Sequence, residues 1–190
     1  DYGADLVTHS ATKYIDGQGR VLGGISVGQK KLIDEMRFFA RQTGPALSAF
    51  NAWLLSKSLE TLSLRMEKHC SNALFIAETL SEHEELELVR YPFLTSHPQF
   101  DLAKRQMKLG GGIVTIDVKG GVKRADKFID SLEMISRASN LGDTRTIATH
   151  PSSTTHSKLT EGERSLVGIK PETIRISIGL ENTEDILVDL

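Results

Sequence analysis

The sequence is poor in residues that staple a chain or anchor it in a membrane. Only one of its 190 residues is cysteine, Cys70, which excludes an internal disulfide framework and fits a reducing, cytoplasmic compartment. That cysteine and six scattered histidines give no zinc-ligand spacing. His150 and His156 flank a loop and read as structural or solvated residues, so no metal is expected. No apolar run approaches the ~18 residues of a membrane span, no signal peptide is visible, and no membrane partner is expected. Excess charge is also missing. The balance of 23 Lys and Arg against 25 Asp and Glu leaves a net charge of -2, with no basic cluster, which argues against nucleic acid as a partner. There is no internal repeat and no low-complexity tract. What remains, 39% hydrophobic and 25% charged residues, is the make-up of one ordinary globular domain or two small ones.

The stretch that organises the chain is ADLVTHSATKYIDGQGRVLGG, residues 4–24. Residues 4–9 are apolar and β-branched and read as a buried strand. Ser10, Ala11 and Thr12 follow, and then Lys13. Gly17, Gly19, Gly23 and Gly24 come next, so the backbone turns there and admits a close approach. An amine beside two hydroxyls can form a Schiff base while the hydroxyls hold a phosphate. A lysine in cationic or apolar surroundings also loses its proton more readily. On spacing alone, a solvated loop lysine is the commoner reading.

HSATKY followed by GQGRVLGG resembles the cofactor-lysine segment of the Cys/Met-metabolism family of pyridoxal-phosphate (PLP) enzymes. The resemblance covers essentially the whole chain. It implies an α/β fold, PLP-dependent transferase fold type I (aspartate-aminotransferase-like), and PLP as cofactor. Lys13 would carry the cofactor, and Ser10 and Thr12 would bind its phosphate. The chain has no initiator methionine, and family members are about twice as long with the lysine near mid-chain. It is therefore expected to be the C-terminal half of such an enzyme: residues 1–60 the end of the PLP-binding large domain, residues 61–190 the α+β small domain. The family's pyridine-nitrogen aspartate and stacking aromatic lie upstream of the lysine, so the half alone is expected to bind PLP weakly and to be inactive.

Further elements follow from pattern. Residues 23–28 read as a strand, and residues 30–41 as an amphipathic helix with Leu32, Ile33, Met36 and Phe39 or Ala40 on one face. Gly44 suits a helix C-cap and Pro45 the first turn of the next helix. Residues 46–82 stay helical with a break expected near 61–63, and Phe50 and Trp53 read as core. Residues 87–91 form a strand stopped by Pro92, and residues 98–108 a helix. Gly110 to Gly112 lack the lysine and context of a phosphate loop and turn the chain into a strand at 113–118, aliphatic on both faces and so central. Residues 122–131 read as a helix. Thr160 and Glu163 have capping-box spacing. Residues 173–179 alternate as a strand, and Asn182 or Thr183 caps a last helix.

Arg175 stands in that last strand, where an arginine is costly unless something pairs with it. A carboxylate held by its planar fork and an exposed position on a surface strand fit the pattern equally. The segment RISIGLE resembles the family's RxSxGLE ending, which implies that Arg175 clamps the substrate α-carboxylate. Residues 134–156, ending in PSSTTH, resemble the family's substrate-closing loop, with Thr155 on its threonine. Asn140 stands where serine is common in Ser-Leu-Gly, and could bond a carboxylate or orient Lys13. GQGR in place of Gly-His-x-Asp, together with NLGDTR, looks most like the O-succinylhomoserine sulfhydrylase branch. The implied reaction is PLP-dependent γ-replacement on an O-acyl-homoserine, giving homocysteine with sulfide for methionine biosynthesis. Cystathionine γ-synthase or cystathionine/methionine γ-lyase chemistry is the alternative within the family, and an inactive structural module the alternative outside it. The implied partners are an amino-acid substrate and, for the full-length enzyme, further copies in a homodimer or homotetramer.

Overall fold

The computed structural model describes residues 3–190. The chain divides into two compact units, one up to Ser63 and one from Leu64 to Leu190.

In the first unit, β1 (Leu6–Ser10) pairs antiparallel with β2 (Gly24–Gly28), with Val7 opposite Val27. This two-stranded ribbon is the whole sheet of the unit among the described residues. The strand expected to be buried is exposed along its length, with β2 as its one partner strand among the described residues. Helix α1 (Lys30–Thr43) ends where Gly44 adopts φ 90°, a left-handed conformation that glycine alone enters cheaply. The next helix, α2 (Ala49–Leu59), does not take Pro45 into its first turn. It starts after Ser48, whose hydroxyl accepts from the Asn51 N–H and satisfies a free helical donor. Phe50 and Trp53, expected in the core, lie on the surface at 67% and 56% exposure, as a tilted ring pair 5.9 Å apart. Helical period had marked the apolar faces of α1 and α2, but α1 buries none of its residues. The core of this unit is small: Ala11, Ile15, Val21 and Leu55, with Ile25, Leu54 and Leu62 against it.

Helix α3 (Leu62–Leu80) follows a break at Glu60 and Thr61, close to where it was expected. In the second unit, β3 (Leu86–Arg90), α4 (Phe100–Gln106), β4 (Ile113–Val118), α5 (Gly121–Ser131), β5 (Ser136–Arg137), β6 (Ile147–Thr149), α6 (Glu161–Leu166), β7 (Thr173–Ser177) and α7 (Thr183–Asp189) follow in order. The five strands form one sheet in the order β3-β4-β7-β6-β5, antiparallel except for the β5–β6 pair. The expected central strand β4 lies between β3 and β7. Ile174, Ile176 and Ile178 alternate along the β7 segment and are fully buried with Val114, Ile116, Ala73, Ile76 and Ile186. This alternation places Thr173, Arg175 and Ser177 on the opposite face. Gly110 lets the chain pass Tyr91 closely, since a Cβ there would fall 2.6 Å from ring atoms. Tyr91 in turn donates to the Gly111 carbonyl. The capping box at Thr160 and Glu163 forms with both reciprocal bonds, and Asn182 caps α7 through the Glu184 N–H.

Candidate functional site

The predicted site residues divide between the units: Ser10, Thr12 and Lys13 in the first, Asn140, Thr155 and Arg175 in the second.

Ser10 ends β1 with its side chain exposed. The chain then makes a single π-type turn, Ala11–Ile15, interrupted at half-buried Lys13, whose ψ of -130° is not helical. The turn is held at both ends. The Ala11 and Thr12 N–H groups donate to the Gly23 carbonyl at 2.9 and 3.3 Å, the Asp16 N–H donates to Ala11 O at 2.9 Å, and the Gly17 N–H to Lys13 O at 2.8 Å. The Thr12 hydroxyl accepts from the Gly23 N–H at 3.0 Å and lies 3.4 Å from the Gly23 carbonyl as a donor. Space is tight at Gly23, where a Cβ would come within 3.1 Å of Leu55 Cδ1 and that side chain would have to shift.

Asp16 was not singled out in the sequence, and it is the hub of the loop that follows the lysine. Its side chain is buried, and its carboxylate accepts from the Arg20 N–H (2.6 Å), Arg20 Nε (3.0 Å) and the Val21 N–H (3.3 Å). Arg20 Nη2 also donates to the Asp16 carbonyl (3.0 Å) and to Ser58 Oγ (2.8 Å), and Ser58 donates to Leu54 O. GQGR is thus a clasp: a buried charge is tolerated because a cation and two backbone donors meet it. The available signal was an Asp and an Arg four apart around two glycines.

In the second unit, β7 places Arg175 opposite Thr115 on β4 and Thr149 on β6. Arg175 Nη2 donates to the carbonyls of Ser139 (2.9 Å) and Asn140 (3.1 Å) and approaches Thr149 Oγ1 at 3.4 Å. Thr149 Oγ1 donates to Ala138 O. Arg175 and Asn140 are therefore brought together, through the asparagine's backbone. Thr155 is exposed farther along, with its hydroxyl 2.9 Å from His156 Nδ1. Burial pushes the Asp143 carboxyl up, but bonds from the Arg145 guanidinium and N–H outweigh it and hold it below the usual carboxylate range. His150 Nε2 lies 2.6 Å from Pro171 O and 2.8 Å from Ser152 Oγ, and its Nδ1 lies 2.9 Å from Ser153 Oγ and 3.4 Å from the Asp126 carboxylate. No cluster of metal ligands exists among the described residues, and no helix there is long and apolar enough to cross a membrane.

The Lys13 turn fits a phosphorylated aldehyde cofactor. It offers an amine, an exposed hydroxyl at Ser10, and a Thr12 hydroxyl that can keep its bond from the Gly23 N–H while turning its proton from a 3.4 Å contact to a phosphate oxygen.

The family model for Cys/Met metabolism PLP-dependent enzymes matches residues 1–190. Among similar proteins, the O-succinylhomoserine sulfhydrylase of Pseudomonas aeruginosa is 48% identical over 188 residues, 99% of this chain and 47% of that protein. The L-methionine gamma-lyase of Treponema denticola is 45% identical over 192 residues, 100% of this chain and 48% of that protein. The cystathionine gamma synthase of Xanthomonas oryzae pv. oryzae, solved in complex with aminoacrylate and cysteine, superposes with a TM-score of 0.95 at 39% identity, over 100% of this chain and 49% of that one. The chain spans about half the length of the curated relatives it matches. Its architecture is that of PLP fold type I, and the cofactor of its family is pyridoxal 5′-phosphate. The chain belongs to the PLP-dependent enzymes of Cys/Met metabolism.

Proposed function

We propose that the whole protein carrying this chain replaces the γ-substituent of O-succinylhomoserine with sulfide to give homocysteine. Lys13 is the cofactor-holding lysine in this reading, and Ser10 and Thr12 bind the cofactor phosphate. The observation that carries it is the Lys13 turn: an amine on a braced, non-helical break, followed by the Asp16–Arg20 clasp. The choice of sulfhydrylase is supported by GQGR and NLGDTR, which resemble that branch, and by sulfhydrylase relatives at 48 and 47% identity.

Bound PLP supplies an electron sink for charge developing at the substrate's α-carbon. The protein's own groups do the rest. The Lys13 amine would hold the cofactor and would move protons at the substrate's α- and β-carbons as general base and acid. Arg175 holds the α-carboxylate through its planar fork and so fixes the direction of the α-proton. Asn140 and Thr155 line the same substrate region. Residues 1–60 are, on this reading, the end of the large domain and residues 61–190 the small domain. A homodimer or homotetramer of the whole protein is the assembly in this reading.

Lys13→Ala in the whole protein should lower turnover by at least about a thousandfold, as loss of a nucleophile and general base together does. Activity near wild type would end the assignment. Product analysis with sulfide against cysteine tests the finer reading: homocysteine from sulfide supports it, whereas cystathionine from cysteine without homocysteine from sulfide overturns it. Methionine γ-lyase chemistry is the second reading, supported by the lyase relatives at 44–45% identity.

A further inference from the structure

Residues 139–146 run between β5 and β6 without a strand or helix of their own, yet they supply both carbonyls that receive Arg175. Their position comes largely from side-chain bonds, with a few backbone bonds beside them. Five bonds join this loop to the end of β7 and the residues after it. The Gly142 N–H donates to Ser177 Oγ (2.8 Å), and the Leu180 N–H donates to Thr144 O (2.8 Å). The Thr146 N–H and hydroxyl donate to the two oxygens of the Glu181 carboxylate (2.6 and 2.9 Å). The Thr146 oxygen also accepts from the Gly179 N–H (2.9 Å). Gly179 has no room for a side chain, since a Cβ would strike the Glu181 carboxylate and the Thr144 carbonyl. From the other side, Asn72 on α3 donates to the Gly179 and Glu181 carbonyls at 3.0 Å each. His69 donates from Nδ1 to Ile178 O at 2.7 Å. Burial favours the neutral histidine ring, so this donor does not bring a charge into the core.

We propose that Glu181 and Thr146 are positioning residues for the carboxylate site: their paired bonds fix the turn at residues 140–142 against β7, and so set the direction in which Arg175 presents its donors. The motif RISIGLE then has a role for its final residue as well as its first. The inference rests on Arg175 being the carboxylate-binding residue.

The test compares two ligands that differ only in the α-carboxylate, norleucine and pentylamine, binding to the PLP-loaded whole protein, read by the cofactor's absorbance. Thr146→Val keeps the shape of the side chain and removes the hydroxyl. It should weaken norleucine about tenfold, the cost of a misplaced charged hydrogen bond, and leave pentylamine unchanged. Thr146→Ser should stay within about twofold of wild type, because the hydroxyl is restored. Should Thr146→Val not fold, Glu181→Gln carries the same comparison, since its amide keeps one acceptor and loses the other. An equal loss for both ligands, or no loss for norleucine, overturns the proposal. Arg175→Leu separates the two levels. If it too leaves the norleucine preference intact, the carboxylate reading of Arg175 fails and the positioning role with it. If it abolishes the preference while Thr146→Val does nothing, the positioning role alone fails.

Discussion

Asp16 lies three residues past the lysine with 1% exposure, and its carboxylate would be among the costliest groups in the first unit without Arg20. Removing a member of a buried ion pair costs more than the pair contributes, because the other member stays behind. Arg20 is partly exposed, so water relieves some of that cost. Asp16→Ala is expected to destabilise the first unit by about 2 kcal/mol, and Asp16→Asn by less, since the amide oxygen still accepts from the Arg20 and Val21 N–H groups. Chemical denaturation followed by Trp53 fluorescence measures it, and an unchanged midpoint would show that the clasp contributes no stability. The same residue shows where reading the sequence stopped. An i, i+4 pair is visible in the letters, but burial of one partner and the third contact from Ser58, distant in sequence, are not.

At the scale of elements, legibility followed locality. Both caps were readable because each lies within four residues of its partner: Thr160 with Glu163, and Asn182 with Glu184. Strands β4 and β7 were readable because β4 carries aliphatics on both faces and the isoleucines of β7 alternate onto one buried face. The outward placement of Phe50 and Trp53 was not, since periodicity marks an apolar face without saying what covers it. The Glu181–Thr146 bonds span 35 residues and had no local signature. The packing of β7 yields its own prediction. Ile176→Ala, in a fully buried position, should cost about 3 kcal/mol, while Val122→Ala on the exposed side of α5 should cost under about 0.5 kcal/mol. Equal shifts in the unfolding midpoint would mean that the β7 isoleucines are not the centre of the core.

At the scale of the whole molecule, acid stability is expected to depend on groups spread through the second unit. His69 is fully buried, and burial lowers its pKa below the ordinary 6.5 despite the bond to Ile178 O. The unfolded chain therefore takes up a proton near pH 6.5 that the folded chain refuses, so this contribution is complete above that pH and is lost as pH falls below it. Asp189 adds to the loss at lower pH. Burial raises its carboxyl, but the N–H groups of Glu133, Ile135 and Met134 hold it below the ordinary 3.8, so its stabilisation is lost as pH falls through that region. Unfolding midpoints of wild type and His69→Gln across pH 7 to about 5 should converge as pH falls; parallel curves would remove His69 from the account.

The two sheets differ in what their borders offer to a stray strand. The five-stranded sheet closes at one edge on β5, which is two residues long, with Arg137 paired to Asp130. At its other edge β3 carries Glu87 and Arg90, engaged with Lys170 and Asp117. Short and charged borders resist the addition of another chain's backbone. The ribbon of β1 and β2 has apolar residues at its centre instead, with Val7 and Val27 paired across the strands. Edge-to-edge association through the five-stranded sheet of the second unit is disfavoured by its short, charged borders.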